Sequence, residues 1–203
     1  GAPGSSSAFI DYFYEHRLSE AVNLISLDRP GYGYSGYGKA MPSIEKQAEA
    51  INAIVADLQL QQVILVGHSL GAAIIIKSAV LDPDSYVGLL LVAGSVDPDQ
   101  EPEEWYRPWL RNPVFKFVLP ASLYVTNEEI YFLKDQLEAL ESDWRNLDLP
   151  MIVVQGTADQ LVPKENVNFI RRNVSEQYLE IWLEPGVNHF IPWNRPDLII
   201  DGV

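Results

Sequence analysis

Residues 63–81 constrain this chain more than any other stretch. Four apolar residues, Val63, Ile64, Leu65 and Val66, run into Gly67-His68-Ser69-Leu70-Gly71, and the nearly all-apolar residues 72–81 follow. The first run suits a short buried strand, and the last suits a helix buried on most of its surface. Only five residues separate them, so the chain turns sharply from strand into helix. The positions two before and two after Ser69 are glycines, which lets the two backbones pass closely.

The same strand-then-helix rhythm runs through most of the chain. After the turn-rich Gly1-Ala2-Pro3-Gly4, residues 5–19 read as a helix, and the apolar residues 21–27 as a buried strand. Asp28-Arg29-Pro30-Gly31 breaks that run. Ser43 offers an N-cap, and behind it Ile44, Ala48, Ile51, Val55 and Leu58 share one helical face. Residues 87–93, 151–155 and 179–183 are further strand candidates. Residues 164–172 read as a helix, and residues 192–200 begin a last one. Short apolar strands alternating with helices predict an α/β fold: a mostly parallel sheet covered by helices on both faces. In such sheets chemistry gathers at the carboxyl ends of the strands.

Residues 96–149 interrupt the rhythm with Pro, Trp and acidic residues. Thr126 and Glu129 make a capping-box pattern ahead of Ile130, Leu133, Leu137, Leu140 and Trp144, one helical stripe. The expected organisation is therefore a core of residues 1–95 and 150–203, with residues 96–149 as a helical lid.

Ser69 stands out chemically. Gly67-His68-Ser69-Leu70-Gly71 is a G-x-S-x-G sequence between strand and helix, the setting of a nucleophile elbow. A bare match arises by chance in about one chain in 15 of this length, and the flanking strand and helix lower that several-fold. Serine attacks only when a base takes its proton, and the base needs an orienting acid. Of three histidines, His16 reads as a solvent-facing helix residue. His68 abuts Ser69 and reads as a lining or packing residue. His189 follows the last strand in a Gly-containing loop and is the candidate base. Two acids follow strands, Asp97 and Asp159.

Taken together these motifs resemble the α/β-hydrolase superfamily. The resemblance rests on the elbow, on Gly1-Ala2-Pro3-Gly4, and on Asp28-Arg29-Pro30-Gly31-Tyr32-Gly33-Tyr34-Ser35. It rests also on Gly156-Thr157-Ala158-Asp159-Gln160-Leu161-Val162-Pro163 and Gly186-Val187-Asn188-His189-Phe190. They occur in the family's order and span nearly the whole chain. The resemblance implies a Ser69–His189–Asp159 triad, with Asp159 favoured over Asp97. It implies an oxyanion hole from the N–H groups of Leu70 and Ala2, ester or related acyl hydrolysis, and no cofactor. C–C bond hydrolysis, lyase chemistry and a non-catalytic small-molecule binding protein are the alternatives. Family members place three strands before the loop at Gly1, so the expected sheet is incomplete at its N-terminal side. Gly31-Tyr32-Gly33-Tyr34-Ser35-Gly36 matches the dinucleotide fingerprint, but no helix follows it directly and that reading is rejected.

Trp105, Tyr106, Trp109 and Trp193 are candidates for an apolar substrate pocket, with plain packing as the alternative. Composition bounds the partners. A formal net charge of −14 argues against nucleic acid and anionic lipid surfaces, which need a basic face. The chain lacks cysteine, which excludes disulfides, thiolate metal sites and cysteine nucleophiles. A reducing cytoplasm, slightly favoured, and a secreted fold without bridges both fit. No His/Asp/Glu spacing suggests a metal site. A small-molecule substrate is the expected partner.

Overall fold

The computed structural model describes residues 1–203, which form two compact units. The first unit comprises Gly1, Ile44–Glu101 and Lys134–Val203. It holds a four-stranded sheet, β1 (Val63–His68), β2 (Tyr86–Val92), β3 (Met151–Gly156) and β4 (Leu179–Glu184), in the spatial order β1-β2-β3-β4. All three pairings are parallel, with His68 beside Val92, Val92 beside Val154, and Gly156 beside Glu184. The carboxyl ends of all four strands therefore lie along one edge of the sheet. Along β2 every residue but Val87 is buried. Successive strand residues face opposite ways, so β2 is covered on both faces of the sheet.

The helix Leu70–Leu81 packs on β1 and β2, and the helix Ile44–Asp57 packs on it in turn. Its apolar surface is buried nearly all round, as its composition requires: Ala72, Ala73, Ile74, Ile76 and Ala79 are all within the core. A buried polar cluster ties these layers. Ser78 and Tyr86 hydroxyls both donate to Asn52 Oδ1, and Asn52 Nδ2 donates to the Ser78 carbonyl. The stripe Leu137, Leu140 and Trp144 is buried, with Trp144 edge-on to Phe169 at 5.5 Å between ring centres. Lys77 Nζ reaches Asp143 at 2.9 Å.

The second unit joins Ala2–Ser43 with Pro102–Leu133. Its centre is Glu129, whose carboxylate accepts from both Arg29 terminal nitrogens and from the Tyr32 hydroxyl, the last at 2.6 Å. This buried pair clamps the 28–38 turn onto the helix Ala121–Tyr131. A carboxylate so placed is retained because each of its oxygens has a donor.

Several expectations change. Residues 21–27 do not form a strand. A helix, His16–Ala21, occupies their start, and the rest is extended without a ladder. Val22 N–H closes the helix on the Leu18 carbonyl, and just beyond the run Arg29 N–H donates to the distant Gly4 carbonyl, without a strand ladder between. Ile25 is half exposed. An apolar run becomes a strand only where a neighbour accepts its hydrogen bonds. Residues 5–19 are not one helix but a 3₁₀ segment, Ser6–Tyr14, and the separate helix after Glu15. Thr126 and Glu129 do not start a helix. They lie inside Ala121–Tyr131, and Glu129 turns to Arg29 and Tyr32 instead of capping. Residues 96–149 do not group as one body, since 96–101 and 134–149 belong to the sheet unit.

Candidate active site

Ser69 sits between β1 and the helix Leu70–Leu81 with φ 55° and ψ −127°. That backbone region costs a residue with a Cβ about 1–3 kcal/mol and persists only where the surroundings hold it. The holding bonds are backbone ones. Ser69 N–H donates to the Val92 carbonyl at 2.9 Å, and the Ser69 carbonyl accepts from Ala72 and Ser95 N–H at 2.9 and 3.2 Å. Gly67 is needed for close approach: a Cβ there would stand 2.6 Å from the Gly71 carbonyl oxygen. Leu70 is the first residue of the helix, so its N–H has no acceptor within it. Such an N–H at a helix start is suited to hold an anion.

The turns after β3 and β4 are laced together. Thr157 N–H donates to the Glu184 carbonyl and Ala158 N–H to the Val187 carbonyl, both at 3.0 Å. Thr157 Oγ1 accepts from Gly186 N–H at 2.9 Å. A Cβ on Gly156 would run into the Val187 carbonyl, so only glycine lets the two turns meet. The lacing brings Asp159 to His189, with Asp159 Oδ2 2.8 Å from His189 Nδ1. A carboxylate only accepts, so Nδ1 carries a hydrogen, and in the neutral ring the lone pair is left on Nε2.

Asp159 is fully supplied with donors. Oδ1 accepts from Leu161 and Val162 N–H, each at 2.9 Å, and Oδ2 also receives Gln155 Nε2 at 3.3 Å. Burial raises its pKa, but the hydrogen bonds from His189 and from Val162 and Leu161 outweigh it and leave the pKa below the usual carboxylate value. Asp97, the rival acid, is engaged elsewhere. Its Oδ1 accepts from Asp99 N–H at 3.0 Å, its Oδ2 lies 4.0 Å from Arg172, and its own N–H donates to Asn166 Oδ1. Burial pushes its carboxyl upward.

His68 is buried and lies against His189. Its ring centre is 4.7 Å from that of His189, and Trp193 meets it edge-on at 5.5 Å. Trp193 is half exposed. Trp105 and Trp109 belong to the second unit, where both are largely exposed. Ala2 belongs to that unit too. His16 is exposed on its helix. Residue-by-residue reading passed over Gln155, which is buried and bonds Asp159, the Gly156 carbonyl and the Val162 carbonyl. The signal was a lone polar residue closing the apolar run Met151-Ile152-Val153-Val154.

The alpha/beta hydrolase family profile matches residues 1–201. The chain belongs to the α/β-hydrolase family. Among relatives of this α/β-hydrolase is the uncharacterized hydrolase YugF of Bacillus subtilis strain 168. The two are 22% identical over 221 residues, which cover 92% of this chain and 80% of that protein. The monoacylglycerol lipase of Paleococcus ferrophilus superposes with a TM-score of 0.76 at 17% identity, covering 100% of this chain and 89% of that one. A meta-cleavage product hydrolase from Pseudomonas fluorescens IP01 superposes with a TM-score of 0.72 at 14% identity, covering 99% and 85%. At these identities the likeness to the solved structures is one of fold. No helix of this α/β-hydrolase is long and apolar enough to cross a membrane.

Proposed function

We propose that this α/β-hydrolase is a serine hydrolase that cleaves an ester or related acyl bond. The observation that carries the reading is the 2.8 Å bond from His189 Nδ1 to Asp159, in the same unit as the strained serine turn at Ser69. Ser69 Oγ attacks the acyl carbon, and His189 Nε2 takes its proton. Asp159 holds the imidazole in the tautomer that leaves Nε2 basic, and stabilises the imidazolium once it forms. The Leu70 N–H receives the oxyanion of the tetrahedral intermediate. His189 then returns the proton to the leaving group, and water repeats the sequence on the acyl-enzyme. No cofactor enters these steps. Within the sheet unit, Trp193, half exposed beside His68, serves the apolar part of the substrate.

A fluorophosphonate probe applied to the protein and to its Ser69→Ala variant tests the core of the reading. Labelling confined to the unaltered protein supports it, and an ester panel then ranks acyl chains. A folded protein that resists the probe would instead favour a non-catalytic binding protein. C–C bond cleavage is the second reading, favoured by the fold likeness to the meta-cleavage product hydrolase. It predicts Ser69 labelling with turnover of a meta-cleavage product and little ester turnover.

A further inference from the structure

The residue before the nucleophile has a bonding pattern that the triad does not account for. His68 is only 8% exposed, and its Nε2 lies 3.0 Å from the backbone carbonyl oxygen of His189. A carbonyl oxygen can only accept, so Nε2 of His68 carries a hydrogen and donates it. Burial first, and then the charges of the amino end and of His189, drive the His68 imidazole down to about 3, so it is neutral near pH 7. The groups facing it are the amino end at Gly1, His189 at 4.7 Å between ring centres, the edge of Trp193 at 5.5 Å and, through its charge, Asp159. His68 thus presents one fixed donor to the main chain of the candidate base.

The other supports of His189 leave this one distinct work. Asp159 fixes the ring tautomer through Nδ1, but a ring held at one nitrogen can still swing with its backbone. The 184–188 turn is tied to the turn after β3 through Ala158 and Thr157, upstream of His189. The His68 bond is made to His189 itself, and it comes from the last residue of β1, adjacent to Ser69. It therefore spans from the strand that carries the nucleophile to the main chain that carries the base.

We propose that His68 is a positioning residue that ties the His189 backbone to the strand bearing Ser69, and so sets the distance over which the proton moves. The inference rests on the reading of His189 as the base. A base displaced by a fraction of an ångström loses rate and not substrate binding.

Two variants separate the donor from the bulk of the ring. His68→Gln keeps a donor at the same reach, and His68→Leu fills space without one. In His68→Leu, kcat falls about tenfold with KM little changed, and the acid limb of the kcat/KM profile moves. In His68→Gln both stay near the unaltered protein. Equal losses in the two variants, or a loss confined to KM, would overturn the proposal. Nitrogen-15 NMR of the ring nitrogens provides a readout that needs no turnover. His68 should show a hydrogen on Nε2, neutral from pH 5 to 8, and the low-field His189 Nδ1 proton should persist in His68→Gln and broaden in His68→Leu. A His68 that titrates in that range, or carries its hydrogen on Nδ1, would sink the idea even if the leucine variant fails to fold. Should Ser69 resist the fluorophosphonate probe while these NMR signals hold, the hydrolase reading fails and the tie between His68 and His189 stands.

Discussion

The turn after β2 and the turn after β3 each carry a buried aspartate at the carboxyl end of a parallel strand, yet the two carboxylates lead opposite lives. Asp159 gathers four donors, one of them the imidazole of His189. Asp97 gathers one good backbone donor and a distant Arg172. Their pKa values move apart accordingly, Asp159 downward and Asp97 upward. Position in the fold selects candidates, and the surrounding donors select between them. A carboxylate short of donors at a strand end is a structural cap, whereas one with donors on both oxygens can hold a cation beside it.

The largest expected effect tests the contrast directly. Asp159→Asn should slow ester turnover and Ser69 labelling about 10,000-fold, because the amide cannot hold the required imidazole tautomer. Asp97→Asn should leave both nearly unchanged. Steady-state kinetics on the two variants decide the matter, and a reversal would assign the acid role to Asp97. Next in size is Gly156→Ala. Its methyl meets the Val187 carbonyl, so the turns after β3 and β4 must part. A loss of about 1–3 kcal/mol in urea unfolding is expected, with a drop in activity larger than stability alone accounts for. Unchanged activity in a folded variant would show that the lacing does not position His189.

Gln155→Leu should act more mildly. It removes one donor from Asp159 and leaves three, so a fall in kcat of about fivefold is expected from steady-state kinetics. The smallest effect is on stability against pH. The folded pKa of Asp159 lies below its ordinary 3.8, so its stabilisation is present above that value and is lost as pH falls through the folded pKa. The folded pKa of Asp97 lies above 3.8, so its ionised form weakens the fold at neutral pH, and the penalty is relieved as pH falls through that pKa. Asp97→Asn should therefore raise Tm slightly at pH 7 and give no gain below pH 3.8. Melting curves across that range compare the two, and a Tm lowered at pH 7 would show that the cap on Asp99 outweighs the charge.

Much of this arrangement was legible in the residues. Four of the five expected strands stand where apolar runs predicted them, and Ser69 and His189 sit in turns that glycines and strand ends announce. These are local signals, set by side-chain size, backbone freedom and periodicity over a few residues. Three outcomes belonged to the tertiary structure alone. Residues 21–27 have strand-like composition but no ladder, because a strand depends on a neighbour that supplies acceptors and donors. Thr126 and Glu129 spell a cap, yet a partner for Glu129 exists in Arg29 and Tyr32, a hundred residues away in the chain by the contact with Arg29. The bond between His189 and Asp159 depends on the turn after β3 approaching the turn after β4, where Gly156 meets Val187. Local sequence sets what each residue is able to do. Which of those abilities is used depends on bonds across the chain, whose geometry only the folded structure supplies.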